Sequence, residues 1–488
     1  MTRHGSSGSE RVALVFEETE YTYVQLHALA GGLAAALADS GVKAGDRVAL
    51  MSSNRPEWVI AVQAIWRLGA AVVLFSPAWK QAETEHAIAI TNPKHAVGDH
   101  PVLAGLMPML DLNEPITARG DSAGTTQTTA GDLPRTQATA DPEAEAVLVF
   151  SSGTTGLPKA VRHTHRSLRA AIGHWRDALE LTENDRIQVT TPPSHILGLL
   201  NIATALELGI WMRLHRRFDL DRMLHHIEAD RITVEMAVAP IALALANHPK
   251  LEDYDLTSLR FIMWGATPVT PSIAETVTRR TGVPWVPAYG ASELPVIACN
   301  PLHNSRLDSA GKPVPGVSLR VVSLDNSKRL PPNEVGEIQV RAASLMSGYL
   351  PEEATKEAFS DGWYRTGDVG YVEPDGWVHL TDRFKEMIKV RGFQVAPAEV
   401  EGVLLGHPAV VDVAVFGVPD PVNGESIIAA VKLSQQTEPA DLIKHVADRL
   451  ASYKKPARVI IVDEIPRLPS GKALRRVLKE KYGRAPVD

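Results

Sequence analysis

Residues 151–160 read SSGTTGLPKA. No bulky side chain interrupts the stretch before Leu157, and a lysine, Lys159, follows a proline. Consecutive small residues let several backbone N–H groups turn into one concavity, which suits an anion. The hydroxyls of Ser151, Ser152, Thr154 and Thr155 add donors, and Lys159 adds charge. Gly153 and Gly156 stand three apart and Lys159 does not follow Gly156, so this is not the G-x-x-x-x-G-K-[ST] loop. Spacing alone fits a phosphate-binding loop and a mobile polar turn equally well. His195 in PPSHILG, Glu293 in YGASE, Asp368 in YRTGD, Lys389 in IKVRG and Lys472 in PSGK are further polar residues able to do chemistry, and their spacing alone does not set them apart. Singly, each has an ordinary reading. These are a core histidine beside an apolar helix, an acid in a solvated loop, a TGD turn or a basic surface residue.

The elements around these residues alternate. EAVLVF, residues 145–150, predicts a strand leading into the small-residue stretch. Residues 21–40 carry apolar side chains at helical spacing, DRVALMSS reads as a strand, RPEWVIAVQAIWRLGA as a helix closed by Gly69, and AVVLFSP as a strand again. Strand, helix, strand predicts a parallel sheet with crossover helices. Residues 117–144, rich in Thr, Ala, Gly and Asp, predict a surface loop or partly disordered segment. From about residue 311 to 350 short β-rich runs predict a small barrel or sheet. After residue 382 the pattern starts anew with a helix and strands, which predicts a small C-terminal domain of about 100 residues.

The chain has 488 residues, enough for two or more domains. A net charge of -7 gives no basic excess for nucleic acid. The single cysteine, Cys299, excludes an internal disulfide and a Cys-rich zinc site. With no activating base nearby it reads as a packed small residue rather than a nucleophile. The N-terminal MTRHGSSGSE lacks the apolar stretch of a secretory signal. His195, Asn201 and Glu207 interrupt the most apolar run, residues 191–212, which predicts a buried helix and no membrane span. The expected location is cytoplasmic.

SSGTTGLPKAV resembles the phosphate-loop signature of adenylate-forming enzymes: acyl- and aryl-CoA synthetases, peptide-synthetase adenylation domains and luciferases. The resemblance extends over nearly the whole chain, because PPSHILG (192–198), WGATP (264–268), YGASE (289–293), YRTGD (364–368), DRFKEMIKVRGFQVAPAEVE (382–401) and PRLPSGKALRR (466–476) follow in the family's order. It implies an α/β fold. A large N-terminal domain (1–382) of parallel-sheet subdomains and a small β-barrel is expected, then a small mobile α+β C-terminal domain (383–488) hinged near Lys385. It implies that a carboxylate attacks the α-phosphate of ATP to give an acyl-adenylate, and that a thiol then displaces AMP.

By the same resemblance, the loop from Ser151 to Gly156 with Lys159 orients the β- and γ-phosphates. Tyr289 lies against adenine with the backbone of Gly265, Ala266 and Thr267 on the other face, Gly290 also belongs to the nucleotide site, and Ser292, where the family usually has Thr, contacts the α-phosphate. Glu293 helps hold Mg²⁺, and Asp368 and Arg383 reach the ribose. Lys472 serves adenylation and Lys389 the thiol step. Gly392 and Phe393 line the coenzyme A channel, and His195 stands at the mouth of an acid pocket that includes Val238, Trp264 and Leu294. Two residues depart from the family pattern: Ala160 stands for a usual Gly, and Trp264 occupies a usually small position, where it either narrows the pocket or packs outward.

The segment IKVRGFQVAPAEVE looks closest to coumarate-type CoA ligases, and no carrier domain follows, so coenzyme A is the expected acceptor. The alternatives are an enzyme that loads a carrier protein and a silent adenylate-binding module. A mostly apolar pocket suggests an aryl acid or a short- to medium-chain fatty acid. Oligomeric state is not legible.

Overall fold

The computed structural model describes residues 11–118, 141–151, 158–266, 269–324, 326–383, 386–390, 393–420, 424–467 and 471–483. Its architecture is mixed α/β, with a large N-terminal part and a smaller C-terminal unit.

Two sheets dominate the N-terminal part. The first has nine strands in the spatial order Lys312–Pro313, Ala298–Cys299, Trp285–Tyr289, Phe261–Trp264, Val234–Ala237, Arg186–Val189, Trp211–Leu214, Val12–Phe16 and Thr19–Thr22. The run from Trp285–Tyr289 to Val12–Phe16 is parallel. The second sheet has seven strands: Gly348–Leu350, Lys159–Thr164, Glu145–Ser151, Ala71–Leu74, Arg47–Met51, His95–Gly98 and Met109–Asp111. It is parallel from Glu145–Ser151 onward and antiparallel before it. Strands such as VALM and FIMW are apolar along their length because parallel sheets are covered on both faces.

The helices between these sheets begin and end where the sequence marks them. Thr22 and Gln25 form a reciprocal capping box at the start of Tyr23–Asp39. Pro56 opens Pro56–Arg67, with Glu57 in its first turn and Arg67 in its last, matching the helix dipole. The apolar run at 191–212 folds as the helix Ile196–Leu208 and the strand Trp211–Leu214. One buried cluster joins both sheets through these helices, including Leu33, Trp58, Ile65, Leu168, Ile202, Val147 and Met212. Among the described residues no helix is long and apolar enough to cross a membrane. Of the expected loop at 117–144, residues 119–140 lie outside the described residues.

The β-rich region predicted after residue 311 is a five-stranded antiparallel sheet. The long strand Trp363–Val372 pairs with Gly336–Arg341, Phe359–Ser360 and Val378–Arg383. The C-terminal unit is a separate five-stranded sheet beginning at Ile388–Val390, flanked by the helices Pro397–Leu405, Pro439–Ala447 and Arg475–Tyr482. It has its own apolar core, including Val395, Leu404, Val413, Val431 and Leu442.

Candidate active site

The small-residue stretch joins two antiparallel strands, Glu145–Ser151 and Lys159–Thr164. Ser151 and Lys159 are direct register partners, so they form the base of the loop. This differs from a strand–loop–helix phosphate site, in which a helix N-terminus faces the anion. Ser152, Gly153, Thr154, Thr155 and Gly156 lie outside the described residues.

Beside that base lies a chain of buried polar contacts. The Tyr349 hydroxyl, on the strand paired with Lys159–Thr164, donates to Glu293 Oε1 at 2.8 Å and lies 3.1 Å from the Tyr364 hydroxyl. Lys159 Nζ sits 5.5 Å from the centre of the Tyr349 ring. Tyr364 opens YRTGD, and Asp368 closes it. The Tyr289 hydroxyl donates to Asp368 Oδ2 at 2.5 Å. Asp368 is held from behind as well, since its N–H donates to Thr366 Oγ1. Asp368 and Arg383 are opposite one another in neighbouring strands, which puts the two ribose candidates at one register position. Burial, with the nearby Glu293 and Asp368 charges, pushes the Tyr364 phenol well above its ordinary range, so it remains a donor.

Glu293 and Asp368 are both buried. Among the described residues only Oε1 of Glu293 is engaged; a fixed carboxylate with a second oxygen available suits a hard divalent cation. The turn that presents Glu293 depends on Gly290. A Cβ at Gly290 would lie 2.0 Å from the Pro295 carbonyl oxygen, and Ala291 N–H donates to Leu294 O across the same turn. His163, on the strand Lys159–Thr164, supports it, 2.8 Å from the Ser292 carbonyl through Nε2. Burial pushes His163 down to about 4, so it is neutral near pH 7 and donates from Nε2 to that carbonyl.

His195 is the N-cap residue of Ile196–Leu208 by position, but its side chain makes no capping bond. Burial lowers its pKa, so it is neutral above the ordinary imidazole range. Gly198 lets the helix start approach the PPSH turn, because a Cβ there would lie 2.4 Å from the Pro192 carbonyl oxygen. Trp264 ends its strand 1% exposed, with its ring 5.2 Å from that of Trp285, in the cluster that also holds Val238. Leu294 lies in the other large cluster. Gly265 is buried, and Ala266 adopts a left-handed φ of 65°, a strained backbone for a residue with a Cβ. Thr267 is outside the described residues.

The C-terminal residues are arranged differently. Lys472 Nζ pairs with Glu386 Oε1 at 3.1 Å. Arg475 bridges Glu386 and Glu401. Lys389 is exposed, and its backbone N–H donates to Glu425. Phe393 is 52% exposed and stacks on Tyr453 at 4.3 Å. Lys385 and Gly392 lie outside the described residues, as does the Arg383 side chain. Cys299 is buried, and burial pushes its thiol up to about 12, which suits packing rather than attack.

The family model "AMP-binding enzyme" matches residues 2–350, and "AMP-binding enzyme C-terminal domain" matches 399–472. The chain belongs to the AMP-binding, adenylate-forming enzymes. It is similar to 4-coumarate–CoA ligase 3 of Arabidopsis thaliana, 32% identical over 98% of this chain and 89% of the relative. The fold is similar to o-succinylbenzoate coenzyme A synthetase of Bacillus subtilis in complex with ATP and magnesium ion (TM-score 0.84, 30% identity, 96% of this chain and 97% of that one). It is also similar to the amide bond synthetase McbA of Marinactinospora thermotolerans (TM-score 0.87, 30% identity, 97% of each chain).

Three residues of this AMP-binding enzyme's site escape the sequence reading: Tyr349, Tyr364 and His163. Tyr364 opens a quoted motif but carries no separate chemical signal. His163 stands just after the phosphate stretch, yet its partner Ser292 is 129 positions away. The only local hint of Tyr349 is an aromatic residue following a glycine at the end of a β-rich run.

Proposed function

We propose that this enzyme is an AMP-forming acid–CoA ligase working in two half-reactions. The observation that carries the reading is a pair of buried carboxylates, Glu293 and Asp368, each fixed by a tyrosine hydroxyl. Glu293 lies past the carboxyl end of the parallel strand Trp285–Tyr289 and shares Tyr349 with Lys159, and Asp368 is bonded to Tyr289 at that same strand end, where open α/β sheets bind ligands. In the first half-reaction an oxygen of the substrate carboxylate attacks the α-phosphorus of ATP and pyrophosphate leaves. In the second, the sulfur of coenzyme A attacks the acyl carbon, the thiol proton is lost, and AMP leaves.

The first step brings two anions together, so oriented donors and cations supply most of the stabilisation. Asp368 accepts from the ribose hydroxyls with Arg383 beside it, Tyr289 and the 265–267 backbone flank adenine, and Ser292 meets the α-phosphate. Lys159 and the 151–156 stretch hold the terminal phosphates. Glu293 would hold Mg²⁺, which neutralises phosphate charge when bound. His195 meets the incoming carboxylate in a pocket with Val238, Trp264 and Leu294. Lys472 would serve the first half-reaction. Lys389, with Gly392 and Phe393 along the thiol's path, would serve the second, after the 383–488 unit turns about Lys385.

The acid is an aryl acid or a short- to medium-chain fatty acid. The test is pyrophosphate and AMP release over a panel of such acids with ATP and Mg²⁺. Coenzyme A, an amine or a carrier protein is supplied in turn. The expected result is pyrophosphate release with some acids and turnover to AMP with coenzyme A. Turnover only with an amine or carrier protein would reassign the acceptor, and no pyrophosphate with any acid would remove the ligase reading.

A further inference from the structure

We infer that Tyr349 is a positioning residue for the phosphate end of the site, setting the Glu293 carboxylate in the orientation that receives the divalent cation. The inference rests on the reading of Glu293 given above.

Three segments distant in sequence meet at this one side chain. The hydroxyl donates to Glu293 Oε1 at 2.8 Å. An ionised carboxylate only accepts, so the Tyr349 proton is committed to it. The 3.1 Å contact with the Tyr364 hydroxyl must then be donated by Tyr364. The resulting order, Tyr364 to Tyr349 to Glu293, aligns the two O–H dipoles toward the carboxylate, and hydrogen bonds in such a chain reinforce one another. Meanwhile the Tyr349 ring offers its face to Lys159 Nζ, 5.5 Å from the ring centre, within the range of a cation–π contact.

Tyr349 has little freedom to do otherwise. Its residue is 7% exposed. Its backbone N–H donates to Thr355 Oγ1 at 2.8 Å, and its strand is in register with Val161, two residues past Lys159. Three residues earlier, Met346 N–H donates to the Glu293 carbonyl at 2.8 Å. The segment 346–349 therefore grips Glu293 at both backbone and carboxylate. A carboxylate pinned at one oxygen presents the other in a fixed direction, and support of this kind around a metal-holding group commonly changes metal affinity about 10-fold or more.

Tyr349→Phe removes the hydroxyl and keeps the ring over Lys159. Calorimetric ATP binding is measured with and without Mg²⁺, beside the Mg²⁺ concentration for half-maximal pyrophosphate exchange. In Tyr349→Phe the half-maximal Mg²⁺ should rise about 10-fold. The Mg²⁺-dependent gain in ATP affinity should fall to match, with metal-free ATP binding and the KM for the acid unchanged. Tyr364→Phe should shift Mg²⁺ dependence the same way by less. Tyr349→Leu should add a loss of metal-free ATP binding, because the ring under Lys159 goes too. Unaltered Mg²⁺ dependence in a folded Tyr349→Phe would overturn the inference, as would an equal loss of ATP affinity with and without metal. Glu293→Gln separates the two claims. If it leaves the Mg²⁺-dependent gain intact, the reading of Glu293 itself fails, whatever Tyr349→Phe does.

Discussion

The N-terminal and C-terminal parts supply the charged groups of this enzyme in opposite ways. In the N-terminal part Glu293 and Asp368 are buried, and each is already held by a tyrosine hydroxyl before any ligand arrives. In the C-terminal unit Lys389 is exposed and Lys472 is paired with a carboxylate of its own unit, Glu386. The two carboxylates are thus held by neutral donors, whereas Lys472 is held by an opposite charge and Lys389 is exposed. A group fixed by its surroundings loses little entropy when the ligand binds. On the proposed mechanism Lys472 reaches the α-phosphate for one step and leaves for the other, and a group that does so cannot be fixed that way. The Glu386–Lys472 pair partners the ammonium within the C-terminal unit, and Arg475, shared with Glu401, ties the same carboxylate to the helix Pro397–Leu405.

The comparison can be broken by removing what fixes the N-terminal part. The largest effect should come from Trp264→Gly, which empties a fully buried position against Trp285. Truncations of this size cost about 3–5 kcal/mol, seen as a lower Tm. If Trp264 also bounds the acid pocket, the ranking of acids by kcat/KM should move toward bulkier ones; an unchanged ranking would make it packing alone. Asp368→Ala strips the Tyr289 hydroxyl of its carboxylate and, on the proposed reading, the ribose of its acceptor. Pyrophosphate exchange should fall roughly a hundredfold, the size of a lost charge-assisted contact of about 2–4 kcal/mol. A KM for ATP and an exchange rate equal to wild type would remove Asp368 from the nucleotide site.

A third variant sharpens the contrast by testing a buried carboxyl with no proposed part in catalysis. Glu235 is fully buried and accepts from Gln188 Nε2 at 2.5 Å, while Gln188 Oε1 is 2.7 Å from His215 Nε2. Burial pushes Glu235 up to about 8 from an ordinary 4.5. The unfolded chain ionises above the ordinary value while the folded chain keeps its proton. The stability contribution of Glu235 is therefore full below about pH 4.5 and declines as pH rises through about 8. His215, pushed down to about 4 mainly by burial, acts at the other end, its contribution declining as pH falls from 6.5 toward that value. Glu235→Gln should shrink the loss of Tm between pH 6 and pH 9, recovering about 2–4 kcal/mol at the alkaline end. An unchanged slope would mean that Glu235 ionises normally. The smallest effect should come from Phe393→Ala. The stacked pair with Tyr453 is half exposed, so the loss of stability should stay near 1 kcal/mol. Pyrophosphate exchange should be untouched and thioester formation a few-fold slower.

Much of this was legible in the sequence, for a physical reason. Parallel strands such as FIMW and AVVL announce themselves as apolar runs, and Thr22, Pro56 and Gly69 mark helix ends through local backbone chemistry. Glu293 and Asp368 stand in short motifs that a single chain displays. What sequence could not display is contact between distant segments. Tyr349 reaches Glu293 across 56 positions, and Lys472 meets Glu386 at the far end of the C-terminal unit. The hairpin geometry at the phosphate stretch was hidden too, because the antiparallel pairing of Ser151 with Lys159 is set by the sheet and not by the residues between them.

The central proposal is a division between a fixed acceptor site and two lysines delivered in turn. The measurement is both half-reactions, pyrophosphate exchange and conversion of supplied acyl-adenylate to thioester, on Lys472→Ala and Lys389→Ala. Lys472→Ala should lose exchange by about a hundredfold or more and still form thioester, and Lys389→Ala should do the reverse. Equal loss of both half-reactions in each folded variant, or wild-type behaviour of both, would contradict the account.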